Sequence, residues 1–215
     1  MRYVDFEKGC GPSELVVKEC EGLSLAPGKV KVDVKAFGVN RADTLQRQGN
    51  YPPPPGESDI LGLEVAGVVS EVASDVTAFK EGDEVFGLVA GGGYATEVMV
   101  NPAHLMPIPK GMPFFEAAGL AEVFLTAFQC LRTIAHVKPA ERALIHGGAS
   151  GVGLAATQLC RYWGVHSAVT ASSQDKLSLC ESNGAEHLIN YKQQQFDDVL
   201  KKVWPEGVDM VLDMV

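Results

Sequence analysis

The fourteen residues Ala143–Ala156, ALIHGGASGVGLAA, fix what the second half of this chain is able to fold into. Ala143-Leu144-Ile145 reads as a short buried strand and Gly147–Gly153 as a tight glycine turn. Leu154 onward, LAATQLCRYWG, carries apolar residues at helical spacing. Strand, glycine turn and helix in that order form the phosphate cradle of a dinucleotide-binding domain. Glycines let the backbone approach a pyrophosphate, and the free N–H groups at the positive end of the helix bind its charge. Two registers fit: Gly151-Val152-Gly153-Leu154-Ala155-Ala156 matches G-x-G-x-x-A literally, while Gly148, Ser150 and Gly153 match a variant with serine in the middle. A glycine-rich turn between any strand and helix would give the same local pattern, so the flanking sequence has to decide.

The flanking sequence alternates. Ser167–Ala171 reads as a second strand, Asp175–Ser182 as a helix ending at Asn183-Gly184, and His187–Asn190 as a third strand. Phe196–Val203 follows as a helix stopped by Pro205, then Val208–Leu212 as a fourth strand. Strands and helices in this rhythm imply right-handed crossovers and a parallel sheet of order 3-2-1-4, with the ligand crevice between the first and fourth strands. A doubly wound domain has two halves, and only the first is written before Val215. The expectation is therefore a partial Rossmann domain with its second half missing: a fragment, a truncated isoform or an incomplete gene model. The other reading is a complete minimal domain of four strands with an uncovered edge.

Residues 1 to about 110 have a different texture. MRYVDFEKG reads as a first strand, and β-rich runs recur at Leu15–Cys20, Lys29–Phe37, Leu63–Val72, Glu84–Leu88 and Tyr94–Val100 between Gly, Pro and Asp turn signals. This is the pattern of a small barrel of antiparallel strands. Tyr51-Pro52-Pro53-Pro54-Pro55-Gly56 reads as an extended loop, because prolines lack an amide donor and have fixed φ. Such tracts recruit SH3-type modules, or simply form a loop inside a domain. Helical spacing takes over from Pro113 to Ala135.

The net charge of −9 argues against a nucleic-acid partner, which needs clustered Lys and Arg. No apolar run is read as reaching the ~20 residues of a membrane span, and no signal or transit peptide is read at the start. The five cysteines are odd in number and lack CxxC spacing, so they read as free thiols in a reducing compartment, the cytosol by default.

Four stretches carry a family likeness: Asn40-Arg41-Ala42-Asp43, Gln46–Tyr51, Gly62–Gly67 and His146–Gly153. Together with the barrel-then-nucleotide-domain order, the chain resembles the zinc-independent, zeta-crystallin-like quinone oxidoreductase branch of the medium-chain dehydrogenase/reductase superfamily. The resemblance covers essentially the whole chain. It implies an α/β protein with an N-terminal GroES-like β-barrel at residues 1–120 and a partial NADP-binding Rossmann domain at 121–215. It also implies about a hundred further residues and a homodimeric full-length form whose dimer edge this chain lacks.

Zinc-dependent members of the superfamily place a cysteine in the loop that here reads Gly38–Asp43, and a histidine where Leu63 stands. Zinc needs three or four N, S or O ligands at about 2.0–2.3 Å, and these positions do not supply them, so no metal is expected. An NAD-preferring domain carries an acid about twenty residues beyond the glycine turn. Counting from Gly151 lands instead on Ala171-Ser172-Ser173, with Lys176 and Tyr191 beyond. Hydroxyls and cations suit a 2′-phosphate, so NADPH is the expected cofactor. The resemblance implies Lys176 and Tyr191 as phosphate contacts, although Ser172 replaces a common glycine and Asp175 places a negative charge beside Lys176. Cofactor contacts are thus expected at Thr126, Gly148, Ser150, Gly151, Val152, Gly153, Ser173, Lys176 and Tyr191.

Reduction of a quinone by hydride produces an oxyanion that must be stabilised or protonated. Tyr51 is a candidate donor, with Asn40 and Asp43 orienting it or holding the nicotinamide ribose, and the resemblance places all three in the catalytic cleft. The plainer readings are that Tyr51 packs on its prolines and that Asn40 and Asp43 are turn and cap residues. Glu122 starts the bridging helices, either as a site residue or as an acid favoured by the helix dipole. The expected activity is NADPH-dependent quinone reduction, reduced or absent in so short a chain. The alternatives are reduction of α,β-unsaturated carbonyls and a non-catalytic truncated form.

Overall fold

The computed structural model describes Met1–Val215 and divides into two compact units, Met1–Glu122 and Val123–Val215. In the first, β1 (Arg2–Asp5) pairs antiparallel with β2 (Val16–Glu19) as a two-stranded ribbon. β3 (Val30–Phe37), β4 (Glu64–Val72), β5 (Glu84–Leu88), β6 (Glu97–Val100) and β7 (Leu105–Pro107) form an antiparallel sheet of order β6-β3-β4-β5-β7. Valines at Val30, Val32, Val65, Val69, Val85, Val98 and Val100 fill one core. Ala66 and Phe86 face the other way, onto Ala117, Ala118 and Ala121. Buried on both sides, β4 is uniformly apolar after Glu64 up to Val69, as a central strand must be.

Helix α1 (Arg41–Gln48) was not evident in the sequence. It is eight residues of RADTLQRQ, only Leu45 among them strongly apolar, and its ends define it: Asn40 as N-cap and Gly49 in the left-handed conformation at the C-terminus. The helical spacing read from Pro113 to Ala135 resolves into three pieces. α2 (Phe114–Ala117) ends before Gly119, α3 (Ala121–Phe128) follows, and Gln129–Ile134 continues with wider π-helical turns. This run corrects one expectation. Phe114–Ile134 is 21 residues long and apolar enough in composition to cross a membrane. Yet Ala117, Ala118 and Ala121 belong to the core of the first unit, and Ala127 and Leu131 to that of the second.

The second unit follows the predicted alternation: β8 (Arg142–Ile145), α4 (Gly151–Trp163), β9 (His166–Ala171), α5 (Gln174–Ser182), β10 (His187–Asn190), α6 (Phe196–Val203) and β11 (Met210–Leu212). The strands are parallel in the order β10-β9-β8-β11, the predicted 3-2-1-4 arrangement. Alternate residues of β8 serve opposite faces. Ala143 and Ile145 share a core with Leu131 of the π-helical turns, Ala156 of α4 and Cys180 of α5, whereas Leu144 joins Leu200 and Trp204 beneath α6. All five cysteines are free, and burial pushes the Cys160 thiol up to about 12.

Candidate active site

In the first unit the site grows from the start of α1. The Asn40 backbone N–H donates to Asp43 Oδ2 at 2.8 Å, closing the first turn. The Tyr94 hydroxyl donates to the same oxygen, also at 2.8 Å. Asp43 is 2% exposed, and its Oδ1 lacks a full hydrogen bond, with the Gly62 amide as weak compensation. Burial pushes the Asp43 carboxyl above the usual carboxylate range, against the pull of those bonds. Burial and the Asp43 charge together raise the Tyr94 phenol well above its ordinary value, so it stays a hydrogen-bond donor.

Glu64 opens β4 and is as buried as Asp43. The Asn40 side-chain amide donates to Glu64 Oε1 at 2.9 Å, and the Glu122 backbone N–H donates to Oε2 at 2.9 Å. One carboxyl therefore ties the cap of α1 to the first turn of α3. Because its Nδ2 is spent on Glu64, the Asn40 amide has a fixed orientation. Burial lifts the Glu64 carboxyl, while the Glu122 amide and Asn40 pull it down and Asp43 pushes it up. Glu122 is lifted by burial, then by Glu64 and Asp43. Three acids so arranged resist ionising together.

Asn40 and Asp43 are thus brought together, both as cap residues. Asp43 is closed off from solvent, and its side-chain hydrogen bonds come from the Asn40 backbone N–H and the Tyr94 hydroxyl. Tyr51 lies three residues beyond α1, 46% exposed, with no hydrogen bond to either of them. Glu64 and Tyr94 were not among the expected site residues. For Glu64 the signal was an acid opening an otherwise apolar strand. For Tyr94, fifty-one residues from Asp43 in sequence, there was none. No cluster of three His, Cys, Asp or Glu side chains is arranged to hold a metal ion. Around Leu63 the polar groups are instead paired with one another.

In the second unit the candidate residues begin at the glycine turn. The helix begins at Gly151, three residues earlier than its apolar spacing indicated, with Ser150 as N-cap and its Oγ accepting from the Gly153 N–H at 3.1 Å. The Gly151 and Val152 amides have no internal partner, leaving two donors at the positive end of a thirteen-residue helix. The glycines are required by packing. A Cβ on Gly153 would sit 2.5 Å from the Gly147 carbonyl oxygen and 2.6 Å from that of Gly148. One on Gly148 would sit 2.6 Å from Val169 Cβ, and one on Gly151 2.8 Å from Val123 Cγ1. Thr126, three residues after Val123, lies on the same face of α3 and so on the side of the turn.

The groups expected to meet a 2′-phosphate follow the carboxyl ends of two neighbouring strands. β9 ends at Ala171 beside Asn190, the end of β10, and the Tyr191 N–H donates to the Ala171 carbonyl at 3.2 Å. Ser172 and Ser173 therefore follow one strand where Tyr191 follows its neighbour. Ser173 caps α5, its Oγ accepting weakly from the Lys176 N–H at 3.5 Å, and the Lys176 side chain is exposed without an ion pair. His146, at the end of β8, is occupied structurally: its Nδ1 meets Thr170 Oγ1 at 3.0 Å and its ring abuts Phe196 edge-on. Free amides at the helix start and hydroxyls with a lysine at the next strand end fit an NADP-type dinucleotide by their chemistry.

Residues 26–110 match the alcohol dehydrogenase GroES-like domain, and residues 151–215 the zinc-binding dehydrogenase domain. The zebrafish (Danio rerio) synaptic vesicle membrane protein VAT-1 homolog is 36% identical over 190 residues, 88% of this chain and 39% of that protein. The crystal structure of Escherichia coli quinone oxidoreductase complexed with NADPH superposes with a TM-score of 0.85 at 33% identity, over 94% of this chain and 62% of that one. The CurK enoyl reductase superposes at 0.89 and 30% identity, over 100% and 67%. The chain thus spans between two fifths and two thirds of the length of these relatives. By both domain matches and by these likenesses, the chain belongs to the quinone oxidoreductase branch of the medium-chain dehydrogenase/reductase superfamily.

Proposed function

We propose that this fold serves NADPH-dependent reduction of quinones by direct hydride transfer, without zinc. The observation that carries the reading is that the carboxyl ends of three neighbouring parallel strands are followed by the free Gly151 and Val152 amides, by Ser173 and Lys176 and by Tyr191, with no acid at the end of β9. The amides would hold the pyrophosphate with Gly148, Ser150 and Gly153 shaping the turn. Ser173, Lys176 and Tyr191 would hold the 2′-phosphate, and Thr126 would border the nicotinamide side. The chemistry supplied by bound NADPH is a hydride.

A quinone carbon needs no Lewis acid to accept it, which suits a Gly38–Asp43 loop without cysteine and a leucine at position 63 where zinc-dependent relatives carry histidine. Tyr51, exposed at the loop, donates a hydrogen bond to the developing oxyanion. Asn40, held by Glu64, presents a fixed amide for orientation, and Asp43 secures Asn40 from the backbone side. Similarity to an enoyl reductase favours a second reading, reduction of the alkene of an α,β-unsaturated ketone by the same geometry. A cytosolic setting suits five free thiols, and the family resemblance makes a homodimer the expected assembly.

Steady-state oxidation of NADPH by 1,4-benzoquinone, with an enone as comparison, tests the reading. Faster turnover of the quinone supports it; turnover of the enone alone selects the second reading. Because Tyr51 meets charge that develops only in the transition state, Tyr51→Phe should lower kcat and kcat/KM together, and a rise in KM with kcat unchanged would contradict that role.

A further inference from the structure

The four prolines after Tyr51 are not explained by hydride chemistry. Tyr51, Pro52, Pro53 and Pro54 each precede a proline, which drives all four into extended or polyproline II backbone. The tract ends in a turn closed by the Glu57 N–H on the Pro54 carbonyl at 3.1 Å, with Gly56 at φ 87°. A turn with positive φ at its third residue keeps the second, Pro55, extended, so five residues share one conformation.

Polyproline II repeats every three residues, which gives three edges. Tyr51 and Pro54 share one, Pro52 and Pro55 share the next, and Pro53 stands alone on the third. The burial pattern follows that period. Pro53 is half-buried over a cavity of about 310 Å³ walled by Val4, Phe6 and Gln46, and Pro52, though largely exposed, borders its mouth, while Tyr51, Pro54 and Pro55 are exposed. One edge fastens the tract to the protein and two face outward. The carbonyls of Tyr51, Pro52 and Pro53 accept no internal hydrogen bond, and the prolines offer no competing donor. Beyond the turn, Glu57 and Asp59 are exposed and without ion-pair partners.

We propose that Tyr51–Pro55 is a docking ligand for a protein module that binds polyproline II in an aromatic-lined groove with basic residues at one end. The ring faces of an aromatic groove pack against the two outward edges, and its indole or phenol donors meet the free carbonyls. The cations at its rim meet Glu57 and Asp59. The ordering entropy is already spent, because the tract is held in its binding conformation by its own fold.

The test titrates the 215-residue chain with three purified modules: an EVH1 domain with a lysine- or arginine-edged groove, an SH3 domain and a WW domain. Saturable binding of the EVH1 domain is expected. It should weaken at least tenfold in the Pro52→Ala/Pro55→Ala double variant, and Glu57→Gln/Asp59→Asn should reduce its salt dependence. Thermal melting checks that the variants stay folded, and a synthetic Asn50–Asp59 peptide with its alanine counterpart gives the same comparison independently of folding. Absence of binding by the EVH1 domain, or binding indifferent to the proline substitutions in both chain and peptide, overturns the proposal.

Discussion

Glu64 accepts from Asn40 on one side and from the Glu122 amide on the other, so its protonation state bears on both elements. Burial holds its folded pKa above the unfolded value, near 4.3. A group shifted upward adds stability that is fully present below the unfolded pKa and is lost as pH rises through the folded one. Glu64→Gln deletes that titration. Urea unfolding from pH 4 upward should therefore show wild type losing stability more steeply than the variant, by up to about 1.4 kcal/mol per pH unit while the group titrates. Parallel profiles would contradict the assignment. Lys176 is tested through affinity. If its ammonium meets a 2′-phosphate, Lys176→Ala should cost about 1.5–3 kcal/mol of NADPH binding, roughly 10- to 150-fold, and leave NADH unaffected in a direct titration. Equal losses for both nucleotides would place the lysine elsewhere.

At the scale of elements, the glycine turn makes a signed prediction. Alanine is favoured over glycine inside a helix by about 1 kcal/mol, yet a Cβ at Gly153 would collide with two backbone carbonyls. Gly153→Ala should therefore destabilise the second unit by about 1–3 kcal/mol in chemical denaturation and weaken NADPH binding, and a neutral or stabilising result would refute the packing account. This turn was legible in the sequence because strand, glycines and helix are contiguous and each obeys its own period. The same holds for the later strands and helices, where apolar spacing is enforced by a sheet buried on both faces. α1 was not legible, since a short polar helix is specified by its caps and by two buried contacts, Asp43 to Tyr94 and Gln46 to the Asp59 carbonyl. The break before α3 and the π-helical turns after it escaped as well, because the apolar spacing of 113–135 runs on while the backbone changes pitch. The Asp43–Tyr94 and Asn40–Glu64 pairs join residues far apart in sequence, and only the pairing of strands brings them together.

The whole molecule consists of two units, each with its own core and its own set of candidate functional residues. The account rests on the second unit holding NADPH, because every catalytic role proposed for the first presupposes a bound hydride donor. That claim is open to a single measurement, thermal melting of the 215-residue chain with NADPH and, separately, with NADH. At a hundredfold excess over Kd a ligand adds about 2.7 kcal/mol of stability, and each kcal/mol is worth roughly 2–4 °C in a chain of this size. The account predicts a clear upward shift with NADPH and a much smaller one with NADH at the same concentration. An equal or larger shift with NADH, or no shift with either, would contradict it.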